Sequence, residues 1–302
     1  MNSIKHNKFS LEKYFKKNKE IIDKALDKYL PEDSIYPESI HKAMRYSIFA
    51  GGKRLRAILV IAGCQIFSPE EIKNALPVAC AVEMIHTYSL IHDDLPCIDN
   101  DDLRRGKPTS HKVFGEATAV LTGDALLTHA FLLMSKRKNI KPEITAQVIE
   151  IISKAISTYG MIGGQIVDIE TSGIKTDAKT LKYIHNHKTA DLIEACVYAG
   201  AFLGGADSKQ LKYISEYGRN IGLAFQIVDD ILDIEGDTKL LGKSAGSDII
   251  NKKNTYPSLF GIKKSRQLSN KLINNAILKA KKFGQRGQIL ELLANFIRDR
   301  KF

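Results

Sequence analysis

The sequence predicts an all-α protein, a single domain over residues 1–302 folded as a large helical bundle with a buried central layer. Three observations predict it. Apolar residues recur at the spacing of a helix face through most of the chain. No stretch alternates apolar and polar residues between turn signals, so no strand is expected. Segments 70–92 and 208–235 are apolar nearly all the way round, and such helices belong inside a bundle rather than on its surface.

In chain order the helical segments are 11–29, 37–50, 54–67, 70–92, 117–135, 142–158, 177–203, 208–235, 255–283 and 286–299. The eight prolines fall mostly between them, where a missing amide hydrogen does least harm. No repeat, low-complexity tract or Gly/Ser linker interrupts this order, which leaves one domain.

Composition excludes several classes. Hydrophobic residues at 44% and charged residues at 26% describe an ordinary globular chain. No run of 18 or more uninterrupted apolar residues is present, so no membrane span is expected. The N-terminal residues lack the apolar core of a secretory signal. Cys64, Cys80, Cys97 and Cys196 are scattered without a CxxC pair, which suits reduced thiols and the cytoplasm. The net charge of +11 suggests a polyanionic partner. Its lysines are spread along the chain, Trp is absent and no aromatic–Arg alternation occurs, so nucleic acid is not the expected partner. A small polyanionic substrate remains.

Two acidic clusters give that possibility a location. In the run from Leu90 to Asp102, Pro96 ends the preceding helix and leaves Asp93 and Asp94 on its last turn. A helix C-terminus already carries partial negative charge, so two carboxylates there need a cationic partner. In the second cluster Gln226, Asp229, Asp230 and Asp233 stand at i, i+3, i+4 and i+7 and form one stripe. Leu223, Phe225, Ile227, Val228, Ile231 and Leu232 occupy the other faces and mark the helix as buried. Buried unpaired carboxylates are costly, so the stripe requires a metal or cationic partners. Oxygen ligands without nearby Cys select a hard cation, most commonly Mg2+ shared with phosphate. One acidic run alone would read as a solvated helix end; two of similar pattern, each against an apolar helix, would not. A Ca2+ loop is a poorer fit, since its central Gly and terminal Glu are missing.

The basic residues are less specific. Gly51-Gly52-Lys53-Arg54-Leu55-Arg56 precedes a helix, where glycines permit close backbone approach and free amides suit an anion. Lys53 and Arg56 are three apart and can converge on one phosphate. Arg104 and Arg105 follow the first acidic cluster and supply two phosphate forks beside it. Lys188, Thr189, Lys243 and Lys253 would singly pass for surface residues, and His86 for a core histidine.

The motifs GGKRLR at 51–56, DDLPCID at 93–99, GGQ at 163–165, HKT at 187–189, GLAFQIVDDILD at 222–233 and LGK at 241–243 together resemble the polyprenyl synthetase family of trans-prenyl diphosphate synthases. Within it the chain is most similar to the bacterial farnesyl diphosphate type, and the stretch from Glu83 to Leu127 also resembles plant-type geranylgeranyl diphosphate synthases. The resemblance implies the type I isoprenoid synthase fold with a central cavity, a homodimer and three Mg2+ ions between two diphosphate pockets. It implies that Asp93, Asp99 and Asp229 bind Mg2+, with Asp94, Asp230 and Asp233 direct or water-mediated. Arg104, Lys188, Gln226, Lys243 and Lys253 would hold the allylic diphosphate. Gly52, Lys53, Arg56, His86 and Arg105 would hold isopentenyl diphosphate, with Phe225 near its isopentenyl unit. The Thr189 hydroxyl would face the allylic carbocation left by ionisation, and released pyrophosphate would take the final proton. Ala57 stands where many relatives have proline.

In this family the residues a helical turn before the first motif form the floor of the chain pocket. Here they are Tyr88 and Ser89, and a bulky Tyr88 implies a fifteen-carbon product. A smaller floor would imply twenty carbons. A terpene cyclase would carry an Asn/Ser/Glu-rich second motif, and a non-catalytic subunit would have lost acidic residues; neither description fits. A nucleic-acid binder would leave both acidic clusters without a use.

Overall fold

The computed structural model describes residues 10–136, 140–235 and 253–300. The helices are α1 (Leu11–Tyr29), α2 (Glu38–Ile48), α3 (Leu55–Gln65), α4 (Ile72–Asp93), α5 (Ser110–Phe114), α6 (Glu116–Ser135), α7 (Pro142–Ile156), α8 (Met161–Glu170), α9 (Ala178–His185), α10 (Asp191–Leu203), α11 (Ser208–Glu235), α12 (Tyr256–Phe260), α13 (Ile262–Ala280) and α14 (Gln288–Arg298). The expected all-α class holds, with one addition. Leu103–Arg104 and Lys107–Pro108 pair as a two-residue antiparallel hairpin, β1–β2. Such a short ladder carries no apolar alternation, so it left no periodic signal.

The central layer is α3, α4, α10 and the second half of α11. Leu55 and every residue from Ala57 to Cys64 in α3 are buried, as a helix apolar on all sides requires. α11 corrects the expectation for 208–235. Its first half exposes Lys209, Lys212 and Arg219, and burial is dense only from Ile221 onward. A smaller core of Leu181, Leu223, Ile227, Ile231 and Tyr256 lies beside the main one and backs the acidic stripe of α11.

Three expected helices are broken. The segment 177–203 becomes α9 and α10 joined by a π-helical turn, Asn186–Ala190. The segment 255–283 is interrupted at Gly261, whose φ of +78° ends α12. The segment 70–92 opens with a 3-10 turn, Pro69–Glu71, before α4. α5 and α8 are additional. α8 escapes the periodic reading because Gly163 and Gly164 lie in its first turn, and glycine is a poor helix former.

α6 is, by length and composition, apolar enough to cross a membrane, which qualifies the expectation of no span. It packs against α4 and α2 along one side. Its other side exposes Val120, Leu121 and Leu132.

Candidate active site

The α4 helix ends where Pro96 predicted, at Asp93, with Asp94 as its C-cap. The following turn folds back on the helix end: the Asp99 amide donates to the Asp93 carbonyl at 2.9 Å. Asp94 is buried and accepts from Arg104 Nε at 3.0 Å, while Arg104 Nη2 also reaches Asp101 at 3.1 Å. Burial pushes the Asp94 carboxyl up to about 6 despite the opposing Arg104 guanidinium. Asp93 is raised too, by burial first and then by Asp99, against the pull of Lys188, Lys253 and Arg104. Asp99 is gripped by Lys253, whose Nζ lies 3.0 and 3.1 Å from its two oxygens. The cationic partners that this helix end needs are therefore supplied from β1 and from the residue before Asn254.

α8 and the π turn complete this side. Gln165 Nε2 donates to Asp93 Oδ1 at 2.7 Å. Lys188 Nζ donates to Asp168 Oδ2 at 2.6 Å. Burial works against the Lys188 charge, but Asp168, Asp93 and Asp99 outweigh it and lift its pKa to about 12. Helix and turn approach so closely that a Cβ on Gly164 would sit 2.1 Å from the Lys188 amide nitrogen. The π turn shifts the helical register locally, a device common at functional sites, and places Lys188 and Thr189 on the cavity wall.

On α11 the stripe divides. Asp229 lines the cavity and accepts from Arg300 Nη2 at 3.2 Å. Asp230 is held inward: it accepts from the Tyr256 amide at 2.9 Å and from Gln226 Nε2 at 3.0 Å. His185 lies 3.7 Å away, too far for a hydrogen bond, and burial lowers its pKa to about 3, so it adds no charge there. Gln226 Oε1 in turn accepts from the Thr189 hydroxyl at 2.8 Å. Asp233 is buried and lines an adjoining cavity with Asp230 and Lys253.

The basic residues meet on the far side. Arg105, at φ +55°, donates through Nη1 to the Gly51 carbonyl. Gly52 sits at φ +112°, which favours glycine, and a Cβ there would lie 2.6 Å from Arg105 Nη1 and displace the guanidinium. Arg54 is structural: it is buried, donates to Asp23 and to the Ile48 carbonyl at 2.8 Å each, and lies 3.6 Å from Glu83. Glu83 also accepts from the Ala57 amide at 3.1 Å, so this chain uses an N–H that a proline would lack. Burial lowers the pKa of Arg56, whose buried Nε has no hydrogen-bond partner. His86 is held well below its usual range by burial and by Arg56, Arg105, Arg104 and Arg54, so it is neutral. Burial, and then the Arg300 charge, lower Lys53 to about 8, against the opposing pull of Asp229. The Arg300 guanidinium stacks over the Phe225 ring at 4.1 Å.

Part of this set lines one cavity of about 420 Å³; Asp230, Asp233 and Lys253 line the adjoining one, and Lys53, Asp94, Asp99, Arg104 and Arg105 stand on neither wall. The polar lining of the first includes Arg56, His86, Asp93, Lys188, Gln226 and Asp229. Tyr88, Leu90, Ile98, Ile162, Ile166 and Ile169 form the apolar lining, and Ser89 also borders it. Tyr88 precedes Asp93 by five residues on α4, so it lies about 7.5 Å farther along the helix axis. A charged head and an apolar tail can therefore occupy one continuous space.

Of the residues singled out from the sequence, Lys243 lies outside the described residues. Gln165, Asp168 and Arg300 had no role assigned and are part of the site. Gln165 and Asp168 were carried by the unseen helix α8, and nothing in local spacing marks Arg300. Among the described residues no three carboxylates, histidines or cysteines already converge as a metal-binding group. The available donors are carboxylate oxygens paired for now with Arg or Lys, and Gln165 Oε1 is buried without a partner. This set fits a hard cation that brings phosphate oxygens and water as its remaining ligands.

The polyprenyl synthetase family model matches residues 37–295. A heterodimeric geranylgeranyl pyrophosphate synthase large subunit of Arabidopsis thaliana is 48% identical over 274 residues, covering 89% of this chain and 73% of that protein. A farnesyl diphosphate synthase of Geobacillus stearothermophilus is 48% identical over 255 residues, covering 84% and 85%. The structure of a Helicobacter pylori geranyltransferase complexed with magnesium and isoprenyl diphosphate superposes with a TM-score of 0.85 at 30% identity, covering 97% of this chain and 98% of the other. With the helix order, the acidic clusters and the cavity in agreement, the chain belongs to the polyprenyl synthetase family of prenyltransferases.

Proposed function

We propose that the protein is a single-domain farnesyl diphosphate synthase that condenses isopentenyl diphosphate with dimethylallyl and then geranyl diphosphate. The observation that carries the chain-length reading is Tyr88. Its side chain is 6% exposed and stands in the apolar wall of the cavity, along the helix that ends in Asp93.

Asp93, Asp99 and Asp229 would hold Mg2+, with Asp94 and Asp233 around them and Asp230 anchoring the stripe. Bound Mg2+ acts as a Lewis acid on the departing diphosphate. Lys188, Lys253 and Arg104 neutralise the allylic diphosphate as its C–O bond breaks. The Thr189 hydroxyl, oriented by Gln226, presents its lone pairs to the resulting allylic cation. Lys53, Arg56, Arg105 and neutral His86 hold isopentenyl diphosphate beside Phe225, so that its double bond attacks the cation. Released pyrophosphate takes the final proton. The exposed apolar side of α6 supports a homodimer, and scattered cysteines without a CxxC pair suit the cytoplasm.

A twenty-carbon product is the second reading. Ile162, Ile166 and Ile169 line the same cavity and are each 43–50% exposed, so the tail has an apolar route past the floor.

Product analysis separates the two. Purified protein with isopentenyl diphosphate and either dimethylallyl or geranyl diphosphate should give a Mg2+-dependent fifteen-carbon product, and Tyr88→Ala should lengthen it. A twenty-carbon product from the unaltered protein would keep the chemistry and overturn the chain-length reading. No condensation with either primer would revive the non-catalytic subunit.

Lys53 gives a pH dependence. Diphosphate favours its ammonium form, which Asp229 also favours and Arg300 opposes. Below about pH 8 the lysine is already charged, and KM for isopentenyl diphosphate should be flat. As pH rises through about 8 the charge is lost in the free enzyme and KM should climb. Lys53→Arg should remove the climb; a wild-type KM flat up to pH 9.5 would show that Lys53 is not a ligand.

A further inference from the structure

Tyr88 has one aromatic neighbour among the described residues, and it is His92, one turn along α4. The two rings meet edge to face at 5.6 Å and 83°, a favoured geometry for aromatic pairs. Among the described residues the Tyr88 hydroxyl makes no hydrogen bond, so packing alone orients the ring. His92 itself is anchored. Its Nε2 donates to the Val120 carbonyl of α6 at 3.0 Å, while Asp124 at 4.0 Å is beyond hydrogen-bond reach.

The anchor needs an unusual residue opposite. A Cβ on Gly123 would fall 2.1 Å from His92 Nε2, so the imidazole occupies the space that any side chain there would fill. Glycine inside a helix costs about 1 kcal/mol relative to alanine, and the notch that admits His92 is what it provides here. Both His92 and Tyr88 face the cavity.

We propose that His92, keyed into the Gly123 notch of α6, sets the position of the Tyr88 ring and thereby limits product length. It is a positioning residue acting through Tyr88, and the inference rests on the reading that Tyr88 closes the apolar part of the cavity. α6 takes part in specificity, although Gly123 touches no substrate. Neither residue belongs to the diphosphate machinery.

The test is the ratio of longer to fifteen-carbon product from His92→Ala, Gly123→Ala, Tyr88→Ala and the His92→Ala/Tyr88→Ala double variant. The ratio is read only from molecules that turn over, so partial unfolding lowers the rate without altering it. His92→Ala should raise the ratio about tenfold, as loss of an edge-to-face aromatic contact can. Gly123→Ala should shift it in the same direction while leaving both rings in the chain. The double variant should make products no longer than Tyr88→Ala alone, because both changes act on one ring. KM for isopentenyl diphosphate should stay unchanged in His92→Ala. A His92→Ala ratio equal to wild type, with Tyr88→Ala lengthening as expected, would overturn the inference and leave the floor reading standing. A double variant exceeding Tyr88→Ala would also overturn it, by showing that His92 acts independently. If Tyr88→Ala fails to lengthen the product, the floor reading itself is wrong and this inference goes with it.

Discussion

Asp93→Asn should lower kcat by about a thousandfold, in the range typical of removing a group that stabilises charge in the transition state. The fold should be untouched. Asparagine keeps the shape, and its side-chain oxygen still accepts the hydrogen bond from Gln165 Nε2. Burial and the neighbouring Asp99 disfavour the Asp93 carboxylate in the folded protein. Removing that charge should therefore leave the melting temperature of the metal-free protein unchanged or higher. Loss of activity without loss of stability distinguishes a ligand from a structural residue. Steady-state kinetics over a Mg2+ titration, with a thermal melt of the same preparation, measures both. Activity within tenfold of wild type at saturating Mg2+ would remove Asp93 from the ligand set.

Lys188→Ala should be damaging on both counts. The lysine meets Asp168, whose side chain is 10% exposed, and it is also the leading charge that opposes the raised pKa of Asp93. Without it a buried carboxylate loses its partner, which typically costs about 3 kcal/mol or more. Activity should fall by about a hundredfold or more as well, because a cation aimed at the leaving group is gone. The two losses can be separated. Asp168→Asn added to Lys188→Ala removes the orphaned charge, so stability should recover while kcat does not. Recovery of both would make the pair purely structural. The pH behaviour has a definite sign. Lys188 is raised to about 12, so its share of stability is complete below its ordinary value and is lost as pH rises through about 12. Burial works to raise the Asp168 carboxyl, yet Lys188 holds it below its ordinary value. Its share is complete above that ordinary value and is lost only on acidification through the lowered one.

The helix pattern was legible because burial writes a period of 3.6 into the sequence. α1 and α11 begin and end where that period predicts. α8 was not legible, since two glycines in its first turn erase the period, and with it went Asp168 and the role of Gln165, which the sequence marks only as the end of the GGQ motif. The π turn at Asn186–Ala190 was hidden for a different reason: one extra residue in a helical turn leaves the apolar spacing on either side nearly intact.

The acidic stripe on α11 and the carboxylates at the end of α4 are properties of short stretches, read from three- and four-residue spacing and one proline. Their partners are not. Gln165 lies 72 residues from Asp93, Lys253 lies 154 from Asp99, and Arg300 lies 71 from Asp229. Even within the stripe, packing separated Asp229, which faces the cavity, from Asp230, which the Tyr256 amide holds inward. Local spacing assigns a residue to a face of its own helix. Which helix that face meets, and which charge answers it, depends on how distant apolar surfaces pack, and no short stretch of sequence contains that information.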